Sequence, residues 1–278
     1  QGWRTAAVQI AAGGRPATIM SNVEVSRAER LDQYVIRKQP GLSRTFAARL
    51  IEDGRVKVNG AAQLKPGYKV KTGDRIKIAY DPKTEPAIPE IELPVLYEDK
   101  TCVVINKPLG LLTHSKGAFN PEATVATWLR SRLTGLDGER GGIVHRLDRA
   151  TSGVMICAKT AEALSWLQKQ FSQRRVKKTY YAVVTGSLPN EQAIIDMPIE
   201  RNPKKPQTFR VGAGGKPSVT AYRVLASNGR YSLVELKPET GRTHQLRVHL
   251  SQLGHPILGD QLYGGRPAER LYLHAESV

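Results

Sequence analysis

Residues 141–159 read GGIVHRLDRATSGVMICAK. The closing run, GVMICAK, has the length and apolar composition of a buried strand. The segment before it sets Asp148 between Arg146 and Arg149, with His145 ahead and Gly153 behind. Positive neighbours favour the ionised form of a carboxyl, which suits Asp148 to nucleophilic or electrostatic work and not to service as a general acid. A surface loop of ion pairs is the other reading of the same residues.

Strands of the same kind lie on both sides, at VLYED, CVVINK, KTYYAVVTG, SVTAYRVLA and YSLVELKP. Between and after them TVATWLRSRL, AEALSWLQKQF and THQLRVHLSQL repeat apolar residues at helical spacing, the last with Leu246, Leu250 and Leu253 on one stripe. Sequential strands with few intervening helices predict an α+β fold over residues 95–278, a mixed and largely antiparallel sheet with flanking helices. Ahead of it, DPKTEPAIPEIELP (81–94) sets Pro82, Pro86, Pro89 and Pro94 where neither helix nor central strand can run through, and predicts a linker.

Residues 25–80 have a different pattern. Arg30 to Lys38 reads as a short helix, and a second follows Ser43 as N-cap, through RTFAARLIED to Gly54. VKVNG ends in an Asn-Gly turn, and YKVKTGDRIKI alternates apolar and basic residues about a Gly-Asp turn, as a half-exposed hairpin does. The expectation is a small helix-helix-hairpin domain with Arg30, Arg37, Lys38, Arg44, Arg49 and Arg55 on or beside its helices. Residues 1–24 are expected to be an extension without assigned function, since Gln1 is no initiator and Met20 begins a more ordinary opening.

The chain of 278 residues has a formal net charge of +17, and residues 1–83 hold 16 Lys and Arg against 7 Asp and Glu. Such a field attracts polyanions, either nucleic acid or an anionic membrane surface. Cys102 and Cys157 both sit in strand-like runs, so no disulfide framework is expected and a reducing compartment is. The scattered histidines predict no metal site, and the absence of a membrane span or secretory signal predicts a cytoplasmic protein. No phosphate-cradling loop occurs: GAGG in VGAGGKP lacks the strand-to-helix flanks such a loop requires.

The front stretch resembles the RNA-binding domain named after ribosomal small-subunit protein S-four, through RLD, SR, LIEDGRVKVNG and GDRIKI in that order. The resemblance implies docking on structured RNA, with Ser43, Arg44 and Arg49 as contacts. HRLDRATSGVMICAK, together with VVINKPLGLLTH, KKTYYAVVTG and PETGRTHQLRVHLSQLGHPILGDQLYG, resembles the RluA family of RNA pseudouridine synthases over about residues 95–275. That resemblance implies an isomerase that breaks a uridine's glycosidic bond, turns the uracil and rejoins it through C5, with neither redox step nor energy input and hence no cofactor. The combination with the front domain implies large-subunit ribosomal RNA as substrate.

By the same resemblance the catalytic residue is Asp148, whose attack on sugar, attack on base or removal of a sugar proton the sequence leaves open. Its fixed cation is Arg247 of HQLR, with Arg242 of TGR as second choice. Tyr180 of the K-x-Y-x-A pattern stacks on the uracil and handles the C5 proton, while Tyr181 faces the other way on the same strand. Arg146 fills the stack left by a flipped base, or adds a second counter-charge to Asp148. His145 is expected to be a structural hydrogen-bonding residue beside the RNA, and Lys107, in a Lys-Pro turn after a strand, to touch phosphate. RNA is thus the expected partner of a monomer with no metal, membrane or nucleotide cofactor. The rivals are a non-catalytic RNA-binding protein or RNA chaperone, and the same enzyme directed at transfer RNA. The family usually continues past its LHA segment, so an ending at RLYLHAESV is read as a truncated C-terminus.

Overall fold

The computed structural model describes residues 23–278 apart from 26, 40–41, 43, 81–87, 115–121, 134–135 and 137–140, with the backbone alone at 23, 24 and 45. Ser43 and most of the expected extension lie outside the described residues. A front unit ends at Ile88 and a larger one begins at Pro89.

The front unit holds strand β1 (Val23–Glu24), β2 (Glu29–Arg30), helix α1 (Leu31–Lys38), α2 (Arg44–Glu52), β3 (Val56–Val58), β4 (Ala61–Ala62), β5 (Lys69–Val70) and β6 (Arg75–Ile78). Leu31, Tyr34 and Val35 of α1 and Phe46, Ala47, Leu50 and Ile51 of α2 recur at helical spacing and bury one face of each helix against Val56, Val58, Ile76 and Ile78. Asn59 and Gly60, both with positive φ, turn β3 into β4 as the Asn-Gly signal predicts. The second expected hairpin is corrected. β6 pairs with β1 and β3, whereas β5 pairs with β2. Alternation fixes which residues face inward but not which strand they pair with. Here the backbone of Pro66 and Tyr68 accepts the first amides of α1 and draws β5 to the start of that helix.

The larger unit continues with β7 (Val95–Glu98), β8 (Cys102–Lys107), α3 (Val125–Leu129), β9 (Ser152–Ala158), α4 (Ala161–Ser172), β10 (Thr179–Thr185), β11 (Gln192–Asp196), β12 (Ile199–Arg201), β13 (Phe209–Val211), β14 (Val219–Ser227), β15 (Tyr231–Pro238), α5 (Gln245–Gln252) and β16 (Leu273–Ser277). Eight strands form one sheet in the order β11-β14-β15-β10-β16-β9-β8-β7, in which only the β16–β9 pairing is parallel. This is the α+β, largely antiparallel architecture expected. Residues 89–94 are not pure linker, because Ile91 and Leu93 pack into the core of this unit.

Two apolar clusters lie under the sheet, one beneath β8, β9 and α3, the other beneath β10, β14, β15 and α5. Tyr180 packs against both, so the seam between them runs through β10. β16, to which the sequence reading assigns no strand, fills that seam. Gly153, at φ +122°, lets it in: a Cβ there would stand 2.1 Å from the Ala275 carbonyl oxygen. The seam is also where the segment from Gly142 to Ser152 emerges.

Candidate active site

The segment carrying Asp148 is held at both ends. Ala158 donates its amide to Gly142 O at 2.8 Å, and Ile156 donates to His145 Nε2 at 3.2 Å. The His145 ring stacks on Phe171 with centroids 4.8 Å apart. Burial pushes the His145 imidazole down to about 4, which keeps it neutral and fit to accept that amide. Thr113 then clamps the next turn, its hydroxyl donating to Leu147 O at 2.8 Å and accepting from Leu147 N at 3.2 Å. With Leu147 buried and the Asp148 carbonyl taken by Thr151 N at 3.0 Å, the Asp148 side chain has a fixed origin.

Its carboxylate stands 20 % exposed, and His244 Nε2, 3.9 Å from Oδ2, is the sole cation-capable nitrogen within 4 Å among the described residues. Arg149, expected to flank it, is committed to Glu122 and Gly110 O.

The facing wall is the stretch from β15 into α5. Gln245 organises it: its oxygen accepts from Thr240 Oγ1 (2.7 Å) and Arg242 N (3.0 Å), and its amide donates to Val219 O (2.9 Å) and Thr220 Oγ1 (3.0 Å). His244, immediately before α5, takes a left-handed conformation at φ 57° that few non-glycine residues adopt. Its Nδ1 lies 2.7 Å from Tyr263 Oη, which also accepts from Phe209 N at 2.9 Å. Burial lowers the His244 pKa against the opposing pull of Asp148.

Arg247 is 8 % exposed and lies inside the domain. It forks Asp260 through two 2.7 Å bonds and stacks over the Tyr263 ring at 4.9 Å. Burial pulls its pKa down, but the bonds and charge of Asp260, with the charge of Asp148, raise it overall.

Asp148, Tyr180, Arg146, Arg242, His244 and Arg247 line one pocket of about 110 Å³. Tyr180 faces it from β10 while Tyr181 borders a separate apolar depression, as the strand register demands. Burial, then the nearby charge of Asp148, pushes the Tyr180 phenol up to about 12, so it carries its proton at neutral pH. Arg146 is exposed at the rim. Arg242 is half-buried and donates Nε to Pro217 O at 3.1 Å.

Lys107 contradicts its expected role. It is 0 % exposed, and its ammonium donates to the backbone oxygens of Pro108 (2.8 Å) and Leu111 (2.9 Å), so it cannot reach a phosphate. Burial pushes its pKa down to about 8, with the charge of Asp148 working against that shift.

The sequence reading passes over His244, Tyr263, Asp260, Gln245 and Thr113. All five lie inside the blocks quoted for the resemblance, and an arginine destined for burial should have prompted a search for its own carboxylate. Among the described residues no group of three or more His, Cys, Asp and Glu comes together as a metal site, and no helix is long and apolar enough to cross a membrane.

In the front unit Asp32 is buried and accepts from Arg30 Nε (3.0 Å), Arg30 Nη2 (2.9 Å) and Arg44 Nε (3.1 Å). Arg30, then Arg44, holds the Asp32 carboxyl below its usual range despite burial. Arg44 is thereby anchored with most of its side chain exposed, and Arg49 pairs with Asp53 at 3.8 Å, one helical turn on.

A mixed sheet with an aspartate, a tyrosine and a buried arginine converging at its seam defines a class, and a family profile described as RNA pseudouridylate synthase matches residues 101–252. The chain belongs to that family: it is an isomerase that converts uridine to pseudouridine in RNA, and residues 29–76 match the S4 domain. It is similar to an uncharacterized RNA pseudouridine synthase of Aquifex aeolicus, with 39% identity over 89% of this chain and 82% of that protein. Ribosomal large subunit pseudouridine synthase D of Yersinia pestis is 41% identical over 88% of this chain and 75% of its own length. Among solved structures, human RNA pseudouridylate synthase domain containing 1 superposes with a TM-score of 0.55 and 34% identity, covering 66% of this chain and 76% of that one.

Proposed function

We propose that this enzyme modifies uridines of large-subunit ribosomal RNA, with Asp148 as its catalytic residue. The supporting observation is the state of that carboxylate: fixed at its backbone, open to the pocket, and engaged by no hydrogen bond among the described residues. Relatives described as ribosomal large subunit pseudouridine synthases and the S4 match favour this substrate.

In this mechanism the target uridine leaves its stack, and Arg146 fills the space it vacates. Asp148 opens the bond between N1 and C1′; the freed uracil turns within the pocket, C5 bonds C1′, and the C5 proton is removed while N1 regains one. Atoms and electrons balance without oxidant or energy source, so no cofactor is invoked. Tyr180, held as a neutral phenol, offers its ring for stacking and its hydroxyl for the uracil's polar edge. Arg247, locked by Asp260, supplies a fixed positive potential beside Asp148. His244, its Nδ1 engaged by Tyr263, turns Nε2 to Asp148. Arg44 and Arg49, with Ser43, carry the front domain's grip on RNA, and Arg242 borders the entry of the strand. The enzyme works as a cytoplasmic monomer.

The test is Asp148→Asn in the full-length chain. Pseudouridine formation on large-subunit ribosomal RNA should fall by about 10³-fold or more, with RNA affinity retained. Full activity in this variant would overturn the mechanism. Pseudouridine mapping in a strain lacking the gene tests the substrate: sites lost from transfer RNA alone would overturn the ribosomal assignment.

A further inference from the structure

The Asp148 pocket continues into a larger groove of about 520 Å³ beside the end of α4. Arg146, Lys178, Tyr180 and Arg242 border both, and Phe171 and Arg174 extend the groove away from the pocket. Glu239 is the one carboxylate among its lining residues.

Arg174, Val176 and Lys178 of the sequence RRVKK, residues 174–178 between α4 and β10, line the groove, with Arg175 and Lys177 beside them in the chain. Arg174, Arg175 and Lys177 are exposed, and none of them makes an ion pair among the described residues. Other cations of the larger unit are neutralised, Arg149 by Glu122, Lys159 by Glu98, Arg210 by Glu200, and Arg223 and Lys237 by Glu235, while Arg146 and Arg242, which border the groove, are like Arg174 without an ion pair among the described residues.

Backbone geometry at the helix end points the same way. Arg174 N donates to Phe171 O at 3.1 Å and Arg175 N to Gln170 O at 3.0 Å, closing α4 in the manner usually reserved for a left-handed glycine. The residue placed there is Arg174, at φ 57°. Carrying a charged side chain in that conformation costs stability that glycine would spare, and strain of this kind collects where a side chain is put to use. At the doorway Lys178 is half-buried, and among the described residues its Nζ donates only to the Thr240 oxygen, at 3.4 Å, which leaves most of its donor capacity open there.

We propose that this groove is a second RNA subsite. It takes the sugar-phosphate backbone of the nucleotides next to the uridine bound at Asp148, with Arg174 and Lys178 on phosphates and Val144 and Val176 beneath the sugars or bases. The proposal rests on the reading of the Asp148 pocket as the uridine site.

The experiment uses the full-length chain with Arg174→Gly, which restores an easy helix end while removing the charge, and with Arg174→Gly combined with Arg175→Gln and Lys177→Gln. Arg223→Gln, distant from the groove, serves as control. Binding of a fluorescent oligouridine is measured against salt, and kcat and KM are measured on a large-subunit ribosomal RNA transcript. For the triple variant we expect KM about tenfold higher and a salt slope shallower by about 0.7 for each phosphate no longer neutralised, with thermal stability equal to wild type or higher. An unchanged slope and KM would overturn the subsite, and so would a fall in kcat alone, which would tie these residues to the chemistry instead. Failure of the parent reading looks different: Asp148→Asn would keep its activity while the salt slopes still separated wild type from the triple variant.

Discussion

Asp260 and Asp148 both lie within range of Arg247's charge, and the fold treats them in opposite ways. Asp260 is 1 % exposed and takes two 2.7 Å bonds from the guanidinium, which ties its oxygens to Arg247. Asp148 is 20 % exposed, with the imidazole of His244 3.9 Å away and no fork upon it. A carboxylate with satisfied bonds is architecture. One whose position is fixed by its backbone but whose oxygens are left open stays available to a substrate.

Breaking the finished pair should produce the largest effect. Asp260→Asn leaves Arg247 buried without its counter-charge and should cost about 3–5 kcal/mol in urea unfolding, with pseudouridine formation lost as well. The decisive variant replaces both partners, Arg247→Met with Asp260→Leu. Stability should return to near wild type because no buried charge is stranded, while activity stays lost because Asp148 has lost its cation. If activity returned with stability, Arg247 would be a structural residue only.

A middle-sized effect is expected on the open side. Tyr180→Phe keeps the ring and removes the hydroxyl, and should lower kcat by about 10²-fold, the scale of a positioned proton-handling group. Tyr181→Phe, on the opposite face of the same strand, should change kcat by less than about twofold, which makes the pair an internal check on register. His244→Asn is the companion test, because asparagine tolerates the left-handed backbone found there. We expect kcat to fall about tenfold with KM unmoved; a change in KM alone would place His244 with substrate binding rather than with Asp148.

What the sequence showed and hid follows the same division. Asp148 and Tyr180 are legible through the resemblance of HRLD and K-x-Y-x-A to the family's segments, period-two alternation adds which tyrosine of the strand shares a face, and both residues line one pocket. Lys107 departs from its expected role because a lysine before a proline reads as an exposed turn, whereas pairing with Gly153 of β9 places it inside the sheet and the chain curls back so that the carbonyls of Pro108 and Leu111 take its ammonium. Arg247 was found, but its partner lies 13 residues away beyond α5, outside any helical spacing. The β5–β6 hairpin failed for a related reason, since alternation specifies a face and leaves the partner strand to tertiary contacts. β16 is short, mid-sheet and partly parallel, and parallel neighbours leave no turn signal to read.

The smallest expected effect locates the boundary between the two treatments inside HRLD itself. His145, three residues before Asp148, belongs with the finished groups: its Nε2 accepts the Ile156 amide, its ring lies on Phe171, and burial holds it at about 4. The unfolded chain takes up this proton near pH 6.5. The folded chain resists until about 4, so between those values the unfolded state binds more protons and stability rises with pH. The His145 contribution is therefore constant above about 6.5 and is lost as pH falls toward 4, by at most about 3 kcal/mol at the acid end. His145→Gln keeps an acceptor for Ile156 and cannot titrate, so thermal unfolding followed from pH 7 to pH 4 should show a flatter acid limb than wild type. Equal acid limbs would mean that the folded and unfolded chains take up this proton alike, which would remove His145 from the finished groups.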